Sequence, residues 1–165
     1  MKHNNRAFTL IELLVVVLII GILAAVAVPQ YQQAVDKAHY VQAMSIVDSA
    51  IKAHKVYYLA NGSFANSFHD LDVELPVPQR IDENSGWFYY PWGYCYFAES
   101  DASSIACTLL LGQGRNDRLY YSVNATTDIR KCYFSNGSQR GNRVCKNMTG
   151  KQTGRVGDTY TIYVF

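Results

Sequence analysis

One acidic residue interrupts an apolar stretch near the start of the chain. Glu12 lies within residues 8–28, and no charged residue follows it from position 13 to position 28. An unpaired charge inside a membrane helix costs about 2.5 to 3.5 kcal/mol, so a cationic partner is expected. Cleavage of the chain before Phe8 would create an α-amino group for this role, in the same chain or in a neighbouring copy. The alternative is a Glu12 carboxylate that extends to the lipid headgroups.

Four cysteines could form covalent cross-links. Cys95, Cys107, Cys132 and Cys145 all follow the apolar stretch, and their even number predicts two disulfides in an exported domain. Three pairings are available. The sequential one, Cys95 with Cys107 and Cys132 with Cys145, is favoured because each pair brackets a predicted hairpin or loop. Closing each loop would contribute about 3 kcal/mol to stability. The sequence has no CxxC motif, so no metal is expected.

The second half of the chain carries a basic stretch that could bind anions. Residues 129–157 contain seven basic residues and no acidic one. The candidate anion contacts are Arg130, Lys131, Arg140, Arg143 and Lys146, and Lys151 and Arg155 complete the set. DNA phosphates, a polysaccharide or a host surface would be suitable ligands. The favoured interpretation is an exposed loop whose positive charge meets an acidic loop of a neighbouring copy.

No set of residues predicts catalysis. The sequence lacks a P-loop, a GxSxG elbow and an HExxH motif, and its Gly112 and Gly114 lack the third glycine of a dinucleotide site. His69 and Asp70 are adjacent in a polar segment, where solvated side chains are expected. We therefore predict a protein that is not an enzyme and needs no cofactor.

The elements that position these residues begin with a helix long enough to span one bilayer. Residues 8–28 number 21, which at ~1.5 Å per residue extend about 31 Å. Lys2 and Arg6 precede this span, so the positive-inside rule places the start of the chain in the cytoplasm. No small-residue cleavage site of an ordinary secretory signal follows it. The helix is therefore expected to remain in the mature protein.

After Pro29 the helical pattern continues but becomes amphipathic. Apolar residues recur at three- and four-residue steps, which indicates a helix to about Ala60 that is kinked near Pro29 and packs on a globular head. Asn61, Gly62 and Ser63 supply the stop. The predicted core stripe comprises Tyr31, Ala34, Val35, Ala38, Val41, Val47, Ala50, Ile51 and Tyr58.

The remainder predicts a loop and then an antiparallel sheet, which gives an α+β fold class. Residues 64–85 are polar and contain two prolines, so a connecting loop with little regular structure is expected. Strand-like runs follow at residues 87–97, 105–111, 119–123, 129–134 and 159–164. The first run holds eight aromatic residues. Core packing with an exposed rim is the favoured account of them, and a carbohydrate-stacking surface is the alternative.

Charge is segregated along the chain. Residues 8–101 hold ten acidic and four basic residues, whereas residues 102–165 hold three acidic and nine basic ones. The formal net charge of +2 comes from Lys2 and Arg6, so a chain that begins at Phe8 is neutral. Opposite charge on the two halves of a neutral molecule favours self-association over a polyanionic partner.

The residues around the predicted cleavage site carry a family resemblance. The sequence Arg6-Ala7-Phe8-Thr9-Leu10-Ile11-Glu12-Leu13-Leu14-Val15-Val16, with Gly21-Ile22-Leu23-Ala24-Ala25, Pro29 and Tyr31 after it, resembles the start of type IV pilins and type II secretion pseudopilins. The resemblance implies cleavage between Ala7 and Phe8, N-methylation of Phe8, and a Glu12 that aligns subunits during assembly. Ala7 departs from the usual glycine, and slower processing is the expected consequence.

The resemblance extends to two further features. Gly21 and Pro29 bracket a stretch of weak helix that can unwind in assembled filaments of the family. The pair Cys132 and Cys145 resembles the C-terminal disulfide loop of type IV pilins.

The resemblance implies an α+β type IV pilin fold in four parts. These are a cleaved leader at residues 1–7, a transmembrane and assembly helix at 8–28, an amphipathic helix at 29–60 and a β-rich head at 61–165. The implied role is a subunit stored in the bacterial inner membrane that polymerises into an extracellular pilus for adhesion, motility or DNA uptake. Implied partners are other pilin subunits, a prepilin peptidase and methylase, and an inner-membrane assembly platform.

Two alternatives remain open. A type II secretion pseudopilin shares every N-terminal feature, although two disulfides and an acid-poor second half, which is unpromising for a calcium site, favour a pilin. The other alternative is a membrane-anchored binding module that does not polymerise.

Overall fold

The computed structural model describes residues 8–83, 85–98, 102–112, 117–149, 152–156 and 159–165. The chain divides into two compact units, Met1–Val35 and Asp36–Phe165. The predicted leader at residues 1–7, which includes Ala7, lies outside the described residues, as does Lys151.

The first helix, α1, spans Leu10–Asn61 and contains both Gly21 and Pro29. Proline has no backbone N–H, so α1 makes one hydrogen bond fewer at this position. Within the described part of the chain, α1 is the one helix long and apolar enough to cross a membrane. Its most apolar window has a mean hydropathy of 3.1, and none of that window is buried.

The second unit contains one antiparallel sheet of eight strands. The strands are β1 (Arg80–Asp82), β2 (Trp87–Tyr90), β3 (Gly93–Ala98), β4 (Ser104–Leu110), β5 (Arg118–Asn124), β6 (Arg130–Ser135), β7 (Gln152–Val156) and β8 (Tyr160–Val164). Their order in the sheet is β1-β2-β3-β4-β5-β6-β8-β7, so β8 lies between β6 and β7. A second helix, α2 (Gln139–Thr149), follows β6, and a short 3-10 helix, Phe68–Asp70, precedes β1.

The core of this unit lies between one side of α1 and the inner face of the sheet. The α1 residues buried there are Asp36, Tyr40, Ala43, Ile46, Val47, Ala50, Ile51 and His54. On β5 the alternate residues Leu119, Tyr121 and Val123 are fully buried. The ring of Tyr40 meets that of Tyr121 edge-on, with the ring centroids 5.6 Å apart. Burying each large side chain of this kind contributes about 1.5 to 3 kcal/mol.

The α+β prediction is confirmed, and two local predictions are wrong. The aromatic run at residues 87–97 forms two strands, β2 and β3, because Pro91 and Trp92 make a two-residue turn between them. The segment at residues 64–85 has little regular structure, as predicted, since it contains only the short 3-10 helix and the three-residue strand β1 among its described residues. The basic stretch at residues 129–157 is not an exposed loop, since it contains β6, α2 and β7.

The predicted core stripe of α1 is only partly correct. Val47, Ala50 and Ile51 are buried as expected. Five other members are exposed, namely Tyr31, Ala34, Ala38, Val41 and Tyr58. The buried face instead passes through Asp36 and His54, two polar residues that the stripe left out.

Candidate functional site

The start of α1 is organised by three reciprocal hydrogen bonds between Thr9 and Glu12. Oε2 of Glu12 accepts from the Thr9 backbone N–H at 2.8 Å and from the Thr9 hydroxyl at 2.7 Å. The Glu12 backbone N–H donates to the Thr9 hydroxyl oxygen at 3.3 Å. This arrangement is a capping box, which satisfies N–H groups that the first helical turn leaves unpaired. The Thr-x-x-Glu spacing signals it in the sequence, and the sequence analysis missed it.

The same geometry places Phe8 beside the Glu12 carboxylate. Only two backbone atoms separate the nitrogen of Phe8 from that of Thr9, which Glu12 already binds. An ammonium group created at Phe8 by cleavage would therefore lie close to this carboxylate. No described residue donates a hydrogen bond to the second carboxylate oxygen of Glu12, Oε1. This oxygen is therefore available to accept a hydrogen bond from a further cation. The side chain of Phe8 is 80% exposed and precedes the helix.

Arg140 of the basic stretch pairs with a buried acid on α1. It donates from Nε to Oδ2 of Asp36 at 2.8 Å and from Nη2 to Oδ1 at 2.6 Å. The side chain of Asp36 is only 5% exposed. Hydrogen bonding to Asp36 raises the pKa of Arg140 above its ordinary value. Arg140 also donates to the carbonyl oxygen of Leu111. This guanidinium group is therefore committed within its own chain.

Arg130 makes a similar link between the sheet and α1. Its Nη1 donates to Oδ1 of Asp48 at 2.6 Å and to the hydroxyl oxygen of Tyr121 at 2.8 Å. Tyr121 in turn donates to the same Asp48 oxygen at 3.0 Å. Hydrogen bonding to Asp48 raises the pKa of Arg130. Some acidic residues of the first half of the chain therefore pair with basic residues of the second half within one molecule.

The remaining candidate anion contacts lie apart from one another. Arg143 and Lys146 are exposed on α2. Lys131 is half-buried on the outer face of β6, where it pairs across the ladder with Ser122. The structure does not bring the five basic residues together. Because Arg130 and Arg140 are paired with acids of the same chain, only Lys131 and the exposed residues of α2 among these five are available to bind anions. Among the described residues no cluster of three or more side chains could hold a metal ion.

Two disulfides cross-link the head. Cys95 and Cys107 are directly opposite on β3 and β4, and Cys132 on β6 is joined to Cys145 on α2. This is the sequential pairing favoured from the sequence. All four cysteines are completely buried. The second bond fastens α2 to the sheet, close to the Arg140 ion pair.

His54 is a buried titratable group on α1. Its Nε2–H donates to the carbonyl oxygen of Ala102 at 2.8 Å, and its ring stacks on Phe64 with centroids 4.8 Å apart. Nδ1 is buried and has no hydrogen-bond partner in the described part of the chain. Burial lowers the pKa of His54 below its ordinary value of 6.5, and the Ala102 bond opposes this shift. The folded protein therefore holds a neutral imidazole.

This neutral histidine should make the folded head less stable in mild acid. Below about pH 6.5 His54 is protonated to a greater extent in the unfolded chain than in the folded chain, so the free energy of unfolding falls as the pH falls. The loss is at most ~1.4 kcal/mol per pH unit. Chemical unfolding of the full chain in detergent should show a shallower decline for His54→Gln between about pH 7 and pH 5. An unchanged slope in His54→Gln, or an equal change in the exposed control His69→Gln, would contradict this assignment.

Comparison with known proteins finds a family motif at the start of the chain and relatives that are named as pilin or fimbrial proteins. Residues 2–28 match the prokaryotic N-terminal methylation motif. The chain is 38% identical over 76 residues to "Type IV major pilin protein PilE1" of Neisseria gonorrhoeae, covering 46% of each chain. It is 40% identical over 92 residues to a "Fimbrial protein" of Neisseria meningitidis serogroup A, covering 52% of this chain and 54% of that one.

A third relative matches over a shorter segment. "Type IV major fimbrial protein FimA" of Dichelobacter nodosus is 53% identical over 45 residues, which cover 27% of this chain and 29% of that one. The chain spans about half the length of the first two relatives.

The architecture and the N-terminal motif together resemble those of one class of protein. A long apolar N-terminal helix followed by an antiparallel sheet is the α+β type IV pilin fold. The methylation motif and the relatives named type IV major pilin and fimbrial protein confirm the resemblance to the type IV pilin family. These similarities support a pilin subunit, and the apolar helix fits membrane anchoring.

Proposed function

We propose that this chain is a structural subunit that polymerises into a type IV pilus through its N-terminal helix. The observation that carries the proposal is the exposure of that helix. Every large apolar side chain from Phe8 to Val28 is between 45% and 81% exposed. A continuous apolar surface of this size is unstable in water. Lipid can cover it before assembly, and the same helices of other subunits can cover it afterwards.

The proposal assigns a role to each part of the chain. A prepilin peptidase removes residues 1–7, and methylation of the new Phe8 amine follows. Residues 8–28 hold the subunit in the bacterial inner membrane until an assembly platform transfers it to the fibre. Residues 29–60 and the head, residues 61–165, then lie outside the cell, where the fibre serves adhesion, motility or DNA uptake. The match over residues 2–28 supports the processing step.

The carboxylate of Glu12 would set the register between neighbouring subunits. The capping box occupies Oε2 and leaves Oε1 to accept from an ammonium group. In an apolar fibre core this pairing would be strong, since little water is present to screen it. The methylated Phe8 amine of an adjacent subunit is the cation that the proposal supplies.

The test is electron microscopy of material sheared from the cell surface, with mass spectrometry of the subunit's N-terminus. The expected result is long fibres built from a chain that begins with methylated Phe8. Short or absent fibres with a processed chain would favour a secretion pseudopilin. An uncut leader without fibres would favour an anchored binding module. Either result would overturn the proposal.

Three variants separate the charge of Glu12 from its capping role. Glu12→Gln keeps a capping side chain and removes the charge, whereas Thr9→Ala weakens the cap and keeps the charge. We expect Glu12→Gln and Glu12→Ala to lower the yield of sheared fibres about tenfold or more, with unchanged membrane content. Thr9→Ala should retain near-normal fibres. A normal yield from Glu12→Gln, or an equal loss from Thr9→Ala, would show that charge does not set the register.

A further inference from the structure

The outer face of the sheet, which points away from α1, carries a row of aromatic side chains. Tyr89 and Tyr94 are directly opposite on β2 and β3, and Tyr120 and Tyr133 are directly opposite on β5 and β6. The rings of Tyr120 and Tyr133 stack with centroids 4.6 Å apart and an interplanar angle of 2°. Tyr160 of β8 meets the Tyr120 ring edge-on at 5.4 Å. The second half of the sheet thus presents a fixed tyrosine cluster.

A cleft of about 270 Å³ opens beside this cluster. Its lining combines the rings of Tyr133 and Tyr160 with four polar side chains, Ser104, Ser122, Asn124 and Lys131. Ala98, Ile129 and Ile162 add aliphatic surface. The cleft therefore sets a few small polar groups beside aromatic and aliphatic surface. Small-molecule sites commonly have this composition, with aromatic walls and a few placed polar groups.

The electrostatics of the cleft favour a single negative charge. Lys131 makes no ion pair with any described residue, in contrast to Arg130 and Arg140 of the same stretch. No carboxylate occurs among the described residues that line the cleft. A lysine ammonium is a compact point charge with three donors. No described residue of the cleft neutralises the charge of the Lys131 ammonium, whereas the carboxylate of a ligand would neutralise it.

The polar groups that line the cleft further restrict the ligand. Asn124 donates to the hydroxyl oxygens of Ser103 and Ser104, at 3.2 Å and 3.1 Å, which fixes these groups beside the cleft. Hydroxyl groups both donate and accept, so they match a ligand rich in hydroxyls. A polyphosphate backbone would instead require several cations, and the cleft offers one.

We propose that this cleft binds an acidic sugar, namely a hexuronic acid unit of a polysaccharide. The rings of Tyr133 and Tyr160 lie at 86° to each other, so one of them would stack on the apolar C–H face of the sugar and the other would contact its edge. The serine hydroxyls would bond the hydroxyl groups of the sugar. Lys131 would pair with the carboxylate. The binding step makes and breaks no covalent bond. The proposal does not rest on fibre assembly, because every group involved belongs to one chain.

The test is isothermal titration calorimetry of the full-length protein in an uncharged detergent without a sugar headgroup. The probes are tetragalacturonic acid and its methyl ester, which differ in charge but not in ring structure. Saturable binding of the acid, at least about tenfold tighter than that of the ester, is expected. A DNA oligonucleotide serves as a polyanion, and it should bind no more tightly than the ester.

Two variants with matched controls locate the binding. Lys131→Gln removes the ammonium, and Lys146→Gln makes the same charge change on the exposed side of α2. Tyr133→Leu removes a wall of the cleft, and Tyr89→Leu removes a tyrosine from the far end of the row. We expect Lys131→Gln and Tyr133→Leu each to weaken binding of the acid about tenfold or more, and both controls to change it less than about twofold.

Three outcomes would overturn the proposal. They are no saturable binding of the acid, equal binding of the acid and its ester, and an equal loss with Lys146→Gln or Tyr89→Leu. Tighter binding of DNA than of the acid would assign the basic residues to a nucleic acid instead. Because each measurement uses the unassembled chain, failure here leaves the assembly proposal untouched, and a failure to form fibres leaves this one untouched.

Discussion

Replacing Arg140 by methionine should lower the free energy of unfolding by about 3 to 5 kcal/mol, the largest effect expected from a single substitution in the head. The guanidinium group makes two hydrogen bonds to Asp36, whose carboxylate is only 5% exposed. Methionine occupies a similar volume but leaves that carboxylate without its cation. Chemical unfolding of the full chain in detergent, followed by tryptophan fluorescence, measures the loss.

Arg143→Met is the matched control, because Arg143 lies one turn further along α2 and is exposed. It should change stability by no more than about 0.5 kcal/mol. The double variant Asp36→Leu with Arg140→Met should regain most of the loss, since an apolar pair can replace a buried ion pair without cost. A loss with Arg140→Met no larger than that of Arg143→Met, or no recovery in the double variant, would contradict the assignment.

Removing the Cys132–Cys145 disulfide should release α2 from the sheet. Replacing both cysteines by alanine is expected to cost about 3 kcal/mol, because the bond closes a loop of 13 residues. The cysteine pair at 95 and 107 closes a loop of 12 residues, so loop entropy alone predicts a similar cost. The two disulfides differ in the contacts that still hold the joined elements together once the disulfide is removed. Strands β3 and β4 keep their ladder, whereas α2 loses its covalent tie.

Limited trypsin digestion distinguishes the two variants. Arg143 and Lys146 are exposed cleavage sites on α2. Under conditions where both variants stay folded, cleavage within α2 should accelerate about tenfold or more for Cys132→Ala with Cys145→Ala. The Cys95→Ala, Cys107→Ala variant should show little change at the same sites. Equal cleavage rates in the two variants would show that the bond does not hold α2 in place.

Much of the fold could be predicted from the sequence because its signals are local. The apolar run, the strand-like runs and the even number of cysteines each report on neighbouring residues. The inner face of α1 was harder to predict, because Asp36 and His54 are polar and a search for apolar residues skips them. Both become acceptable core residues only through Arg140 and the carbonyl of Ala102, which lie 104 and 48 residues away in the chain.

Helix α2 and the outer cleft could not be predicted for a related reason. The sequence of α2 is polar, and its buried residues Gly141, Val144 and Cys145 acquire a partner surface only when β6 and β8 are in place. The cleft draws residues from five different strands, so no sequence spacing indicates it. The basic residues can be identified in the sequence by their type. Whether each of them pairs with an acidic residue depends on contacts between distant parts of the chain.

The position of β8 between β6 and β7 has a consequence for strand exchange. Strand β7 precedes β8 in the chain, but it joins the sheet only by pairing with β8. Until β8 is in place, the ladder edge of β6 is open, and an open edge can pair with a strand of another chain. Two copies of the chain at high concentration could then exchange their β8 strands, because each strand fits the vacant place in the other copy as well as in its own. Pairing of β8 with β6 in the same chain therefore closes this edge and also provides the strand on which β7 pairs.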